Sequence, residues 1–177
     1  MTTTIETGAD ADLASPVAAL ADDELVAWRA FLHAHARLVR RLDDELQSAI
    51  GLSLAEYDAL VQLVNVPGRR LRMSVLADRV LLSRSGITRL VDRLVAAGFV
   101  ERTVCPTDAR GAEAALTPAG VDVLRAATAT HFRGIQRYFT TVITESEQAV
   151  LAVSLERVAN SLDQPGDVSN PCGSQEP

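Results

Sequence analysis

The chain has 177 residues, 47% of them hydrophobic, which suits one domain or one lobe with an appendage. Its apolar runs fall well short of the roughly 18 residues of a membrane span, and its acidic, small-residue start lacks the basic and apolar regions of a signal peptide, so a cytoplasmic protein is expected. A net charge of −6 runs against nucleic-acid binding unless the charge is unevenly distributed, and two distant cysteines, Cys105 and Cys172, support neither a disulfide framework nor a zinc site.

Residues 1–20 lack periodicity and read as a disordered arm. From there Leu25, Trp28, Leu32, His35, Val39, Leu42, Leu46 and Ala49 step alternately by three and four, the seam of a long helix that Gly51 ends. Ser53 with Glu56 forms a capping box, and Tyr57, Leu60, Val61 and Val64 give the helix it opens an apolar face before Pro67-Gly68 stops it.

Two short helices, 73–80 and 84–97, follow, joined by a tight turn. Ser83 is placed to cap the second, Gly98 to end it, and Ile87, Leu90, Val91 and Leu94 to bury one face. The opposite face carries Arg84, Ser85, Thr88, Arg89 and Arg93. Short polar donors at a helix start with arginines behind them are what reading base edges and phosphates in a major groove requires; a solvated amphipathic helix is the plainer alternative. Val100 to Val104 alternates as a strand, Cys105 to Gly111 supplies turn residues, and Ala112 to Leu116 can return antiparallel. That is a helix-turn-helix with a β-wing. At its tip, Thr107 to Arg110, the Asp108 carboxylate can anchor the loop while Arg110 projects outward, a geometry suited to the minor groove.

Thr117-Pro118 opens another long helix, whose seam runs through Val121, Leu124, Thr128, His131, Ile135, Tyr138 and Val142. Thr144 with Glu147 makes a second capping box, and Leu151, Leu155, Val158 and Leu162 continue a last helix before the Pro-, Gly- and Ser-rich tail 163–177, which reads as disordered. The expected fold is therefore mainly α with a small β-wing. A winged helix-turn-helix lobe spans 51–117, and helices 21–50 and 118–162 carry stripes that one small lobe cannot cover, so they are expected to pair with a second copy as a homodimer.

Charge is uneven along this plan. Residues 68–111 hold nine arginines and four acids, a net +5, while the rest of the chain carries −11. One basic module in an acidic chain fits a local DNA-facing surface.

The stretch from Leu76 to Gly120, LADRVLLSRSGITRLVDRLVAAGFVERTVCPTDARGAEAALTPAG, resembles the recognition helix, D-x-R wing and LT-x-x-G re-entry of the MarR family, and the likeness extends over about residues 22–162. The resemblance implies a sequence-specific double-stranded-DNA-binding transcription regulator, a dimeric repressor on a pseudo-palindromic operator. It places Ser83, Ser85, Thr88 and Arg89 on the DNA-facing helix and matches Arg110 to the wing-tip arginine and Asp108 to the acid that steadies it. Ala109 departs from the basic residue common inside the wing motif, and Gly86 stands where a larger residue is common, which predicts weaker wing affinity and base readout. The family also implies release of DNA by a small aromatic, phenolic or anionic effector, for which Trp28, Phe31, His35, Tyr57, Asp58 and His131 are the candidate lining; aromatic residues at such spacing more often belong to a core. Cys105, beside the wing, offers an alternative redox response, although peroxide-sensing members carry their cysteine in the first helix.

No phosphate loop, nucleophile elbow or zinc-protease motif is present, so the chain is not expected to be an enzyme and no cofactor or metal is expected. The rival reading is a winged-helix protein-interaction module without DNA binding.

Overall fold

The computed structural model describes residues 22–105 and 108–162, with side chains described for 25–103 and 112–162. The two expected disordered ends, Thr107, and the side chains of Cys105, Asp108 and Arg110 lie outside that description. The elements are α1 (Asp22–Ile50), α2 (Leu54–Val64), a 3-10 turn (Pro67–Arg69), β1 (Arg70–Arg72), α3 (Met73–Arg79), α4 (Arg84–Ala96), β2 (Val100–Cys105), β3 (Asp108–Leu116), α5 (Pro118–Ile135), a π turn (Gln136–Thr140) and α6 (Glu145–Leu162). The chain divides into two units between Ala36 and Arg37. No helix among the described residues is long and apolar enough to cross a membrane.

The expected punctuation sets most helix ends. Gly51, with φ of +78°, terminates α1. Ser53 then closes the capping box of α2: its hydroxyl accepts from the Glu56 N–H at 3.3 Å, and the Glu56 carboxylate accepts from the Ser53 N–H at 2.9 Å. Asp43, near the end of α1, accepts from the Leu54 N–H at 2.6 Å, so two side chains satisfy the start of α2. Thr117 caps α5, and Thr144 and Glu147 exchange the same pair of bonds at α6.

The sheet is antiparallel with order β1-β3-β2. β1, three residues long, was not among the expected strands. The wing is also longer than expected: Cys105 pairs with Asp108 across a register shift after Val104, so only positions 106–107 separate the two strands. Turn-forming residues also suit a bulged strand end, which is why the stretch from Cys105 to Gly111 read as loop.

The core of the second unit draws Leu46 from α1, Leu60 and Leu63 from α2, Leu76 from α3, Val91 and Leu94 from α4, Leu71, Val100 and Ala114 from the sheet, and Leu124 and Ala127 from α5. The α5 seam does not continue as one α-helix to Val142. At the π turn the Thr141 N–H bonds the Gln136 carbonyl five residues back at 3.1 Å, and the Thr141 hydroxyl donates to the same carbonyl at 2.9 Å. Helix α6 has no buried residue within the chain.

Candidate nucleic-acid interface

The helix-turn-helix is built on α3 and α4. Its turn closes with the Leu82 N–H on the Ala77 carbonyl at 2.9 Å and the Leu81 N–H on the Asp78 carbonyl at 3.3 Å, the paired bonds of a left-handed helix terminus. Glycine is the usual residue at such a place. Here Leu81 occupies it, with φ of +54° and 92% of its surface exposed. Sequence reasoning missed this residue because no glycine marks the turn.

Ser83, extended in backbone, then caps α4 by accepting from the Gly86 N–H at 3.1 Å. A Cβ at Gly86 would lie 3.2 Å from the Ser83 hydroxyl, so the small residue leaves the cap room to close. Ile87, Leu90, Val91 and Leu94 are buried, as their spacing predicts. Arg84, Ser85, Thr88 and Arg89 project together into solvent from the other side. Among the described residues neither Arg84 nor Arg89 makes an ion pair, whereas the Thr88 hydroxyl donates back to the Arg84 carbonyl at 2.8 Å.

Arg93 shares this exposed face but is already engaged. Its Nε donates to Glu56 Oε1 at 2.7 Å, while Glu56 itself is buried. Desolvation pushes the Glu56 carboxyl up in pKa. The Ser53 N–H, Arg93 and the Ser53 hydroxyl outweigh that and hold it below the ordinary carboxylate range. On the other flank, Arg102 of β2 pairs with Asp92 at 2.9 Å and donates to the Thr88 carbonyl at 3.2 Å. Helix α4 is thus pinned from both sides.

Behind the wing, the Thr117 hydroxyl donates to the Gly98 carbonyl at 2.8 Å. A Cβ at Gly120 would stand 2.1 Å from the Phe99 carbonyl oxygen, so the glycine of the LT-x-x-G motif is required by backbone contact. Asp108 and Arg110 belong by backbone to β3, the strand that returns from the wing tip.

The proposed effector residues form two groups. In the first unit the rings of Trp28 and Phe31 lie 6.1 Å apart and those of Phe31 and His35 6.0 Å apart, with Trp28 54% exposed. In the second unit Tyr57 is buried and packs its ring 4.7 Å from that of His131. Desolvation lowers the His131 pKa against the opposing pull of Asp58, and desolvation raises that of Asp58 against the pull of His131. The His131 Nδ1 is buried with no hydrogen-bond partner among the described residues.

A family model described as the MarR family matches residues 50–111. Sco3205, a MarR family transcriptional regulator from Streptomyces coelicolor solved in complex with DNA, is 34% identical, with 84% of this chain and 96% of that chain covered and a TM-score of 0.77. AbsC, a MarR family transcriptional regulator from the same organism, is 32% identical over 82% of this chain and 98% of its own, with a TM-score of 0.76. A mutant MarR from E. coli complexed with operator DNA shares the fold at 23% identity and a TM-score of 0.69, covering 80% of this chain and 99% of that chain. A search of curated proteins gave no match. The capped helix-turn-helix, the wing, the glycine re-entry and these similarities together establish that the chain belongs to the MarR family of transcriptional regulators.

Proposed function

We propose that the protein is a homodimeric repressor that binds a pseudo-palindromic DNA operator and lets go of it when a small aromatic or anionic effector binds. The observation that carries the DNA reading is the division of α4. Four apolar side chains anchor it, while Arg84, Ser85, Thr88 and Arg89 face outward without ion-pair partners among the described residues. The 34% identical Sco3205 was solved in complex with DNA, which supports DNA as the partner. In this reading α4 enters the major groove, Ser83, Thr88 and Arg89 lie near base edges or phosphates, and Arg110 reaches the minor groove, steadied by Asp108. Arg93, taken up by Glu56, sets the position of the helix.

The dimer reading rests on α6, which buries nothing within the chain and exposes Val150, Val153, Val158 and Leu162. The effector reading rests on the exposed Trp28, Phe31 and His35 and on the Tyr57, Asp58 and His131 group. Footprinting tests the DNA reading. Two protected half-sites about 10 bp apart are expected. Arg110→Ala should weaken binding to all sequences alike and reduce the salt slope by about one, whereas Thr88→Ala or Arg89→Ala should change sequence preference. A protein that shifts no DNA from the region upstream of its own gene would instead fit a protein-interaction module.

A further inference from the structure

Helices α1 and α5 meet closely where Gly134 faces Leu42. A Cβ at Gly134 would lie 2.6 Å from Leu42 Cδ2 and 3.1 Å from Glu45 Oε2, so a larger residue there would have to displace both side chains. Beside the contact opens a groove of about 430 Å³, lined by Arg41, Asp44 and Glu45 from α1 and by Thr130, Arg133 and Arg137 from α5 and the π turn. That volume falls within the range of small-molecule sites.

The groups in it are arranged rather than merely adjacent. The Tyr138 hydroxyl accepts from Arg41 Nε at 3.2 Å and donates to the Glu45 carboxylate. The guanidiniums of Arg41 and Arg137 sit 5.6 and 5.8 Å from the centroid of the same Tyr138 ring. Arg133 donates to the Thr130 hydroxyl at 3.1 Å, and Thr130 is nearly buried. Glu45 is the shared acceptor: besides Tyr138 it pairs with Arg137 at 3.6 Å.

Donor accounting shows what is missing. Each guanidinium carries five N–H groups in a fixed fork, and among the described residues these three use few of them. The one acid at the centre, Glu45, already serves Tyr138 and Arg137, leaving Asp44 as the other carboxylate against three cations. A self-contained ion-pair cluster would match its charges. This one leaves cationic forks in excess, and planar forks with spare donors suit a carboxylate or a phosphate. The π turn supplies Arg137 to the groove and the Tyr138 that holds Arg41 and Glu45 beside it, and such turns recur at functional sites.

We propose that this groove between α1 and α5 is a binding site for a small oxyanion, a carboxylate or a phosphate, held by Arg41, Arg133 and Arg137. It lies on elements other than α4 and the wing, and it does not rest on the effector reading given above. An anion there would bridge the two helices beside the Gly134–Leu42 contact.

The test is calorimetry on the full-length protein in low-chloride buffer, with inorganic phosphate in one arm and benzoate in the other to separate the two sources of the same chemistry. Saturable binding of at least one probe, one per chain, is expected. Arg41→Gln and Arg133→Gln should each weaken it about tenfold, as loss of a charged hydrogen bond implies. Arg89→Gln, on the DNA-facing helix, should leave it unchanged. Arg133→Lys serves where the glutamine variant fails to fold, and is expected to weaken binding because the fork is lost while the charge stays. Absence of saturable binding of both probes would overturn the proposal. So would weakening by Arg89→Gln alone, or a drop in the salt slope of DNA binding by Arg41→Gln equal to that of Arg89→Gln, which would make the groove part of the DNA surface.

Discussion

Glu56 does three jobs with one carboxylate. It completes the α2 capping box through the Ser53 N–H, accepts the Ser53 hydroxyl at 2.9 Å, and takes the Arg93 guanidinium from α4. The capping box was legible from Ser-x-x-Glu spacing, because both partners are local. The bond to Arg93 was not, since the two residues are 37 positions apart and nothing in a helical face tells a solvated arginine from a tethered one. That distinction has a measurable consequence. If Arg93 positions α4, Arg93→Gln should lower DNA affinity and destabilise the fold by about 1 kcal/mol, while the salt slope stays constant; a phosphate contact would instead lower the slope by about one. Acid behaviour follows from the same group. The folded pKa of Glu56 is depressed, so its contribution is present above the ordinary carboxyl value of about 4.3 and is lost as pH falls through the folded value. Urea unfolding at descending pH should therefore show a shallower acid loss for Glu56→Gln than for the parent, and equal slopes would remove Glu56 as a source of acid lability.

Among the elements, the helices announced themselves and the sheet only partly did. Three-four stepping and the Ser53, Ser83, Thr117 and Thr144 caps located five of the six helices within a few residues, because helical order is set by contacts three and four positions apart. β1 escaped because Arg-Leu-Arg offers one apolar residue, and its partner is β3: Leu71 pairs with Ala114 across the intervening α3, α4 and β2. The π turn escaped because its cause, a carbonyl that takes both the N–H and the hydroxyl of Thr141, leaves the apolar pattern intact. Gly120 shows the reverse case. The motif made it conspicuous, and the structure supplies the reason, a backbone oxygen where a Cβ would go. Since Phe99 cannot withdraw without moving the end of α4 or the start of β2, Gly120→Ala should cost about 1–3 kcal/mol and disturb the wing. Thermal unfolding alongside operator affinity checks this, and an unaltered midpoint would mean that α5 can shift without penalty.

At the scale of the whole molecule, the dimer and effector proposals each rest on an exposed surface among the described residues. The first is the valine- and leucine-bearing face of α6: Val158→Asp should convert a sedimenting dimer into a monomer and abolish operator binding, and a wild-type protein that sediments as a folded monomer at micromolar concentration would remove the dimer. The second is the exposed Trp28, Phe31 and His35 row of the first unit. Its three rings sit about one helical turn apart, near enough to present a continuous aromatic strip with an imidazole donor at one end, and such a strip can stack on a ring while bonding its polar substituent. A ligand bound there acts on DNA only if it prefers one arrangement of the dimer, and a tenfold preference requires no more than about 1.4 kcal/mol. By reciprocity, operator DNA must weaken that ligand by the same factor. Trp28 is the sole tryptophan of the chain, so its fluorescence reports this surface without competition. Titration with phenolic acids should quench it in parallel with release of operator DNA, and Trp28→Phe with His35→Ala should blunt the release while leaving operator affinity in place. If phenolic acids release DNA while Trp28 stays silent and both variants respond as the parent does, the strip belongs to the subunit contact and the effector binds elsewhere.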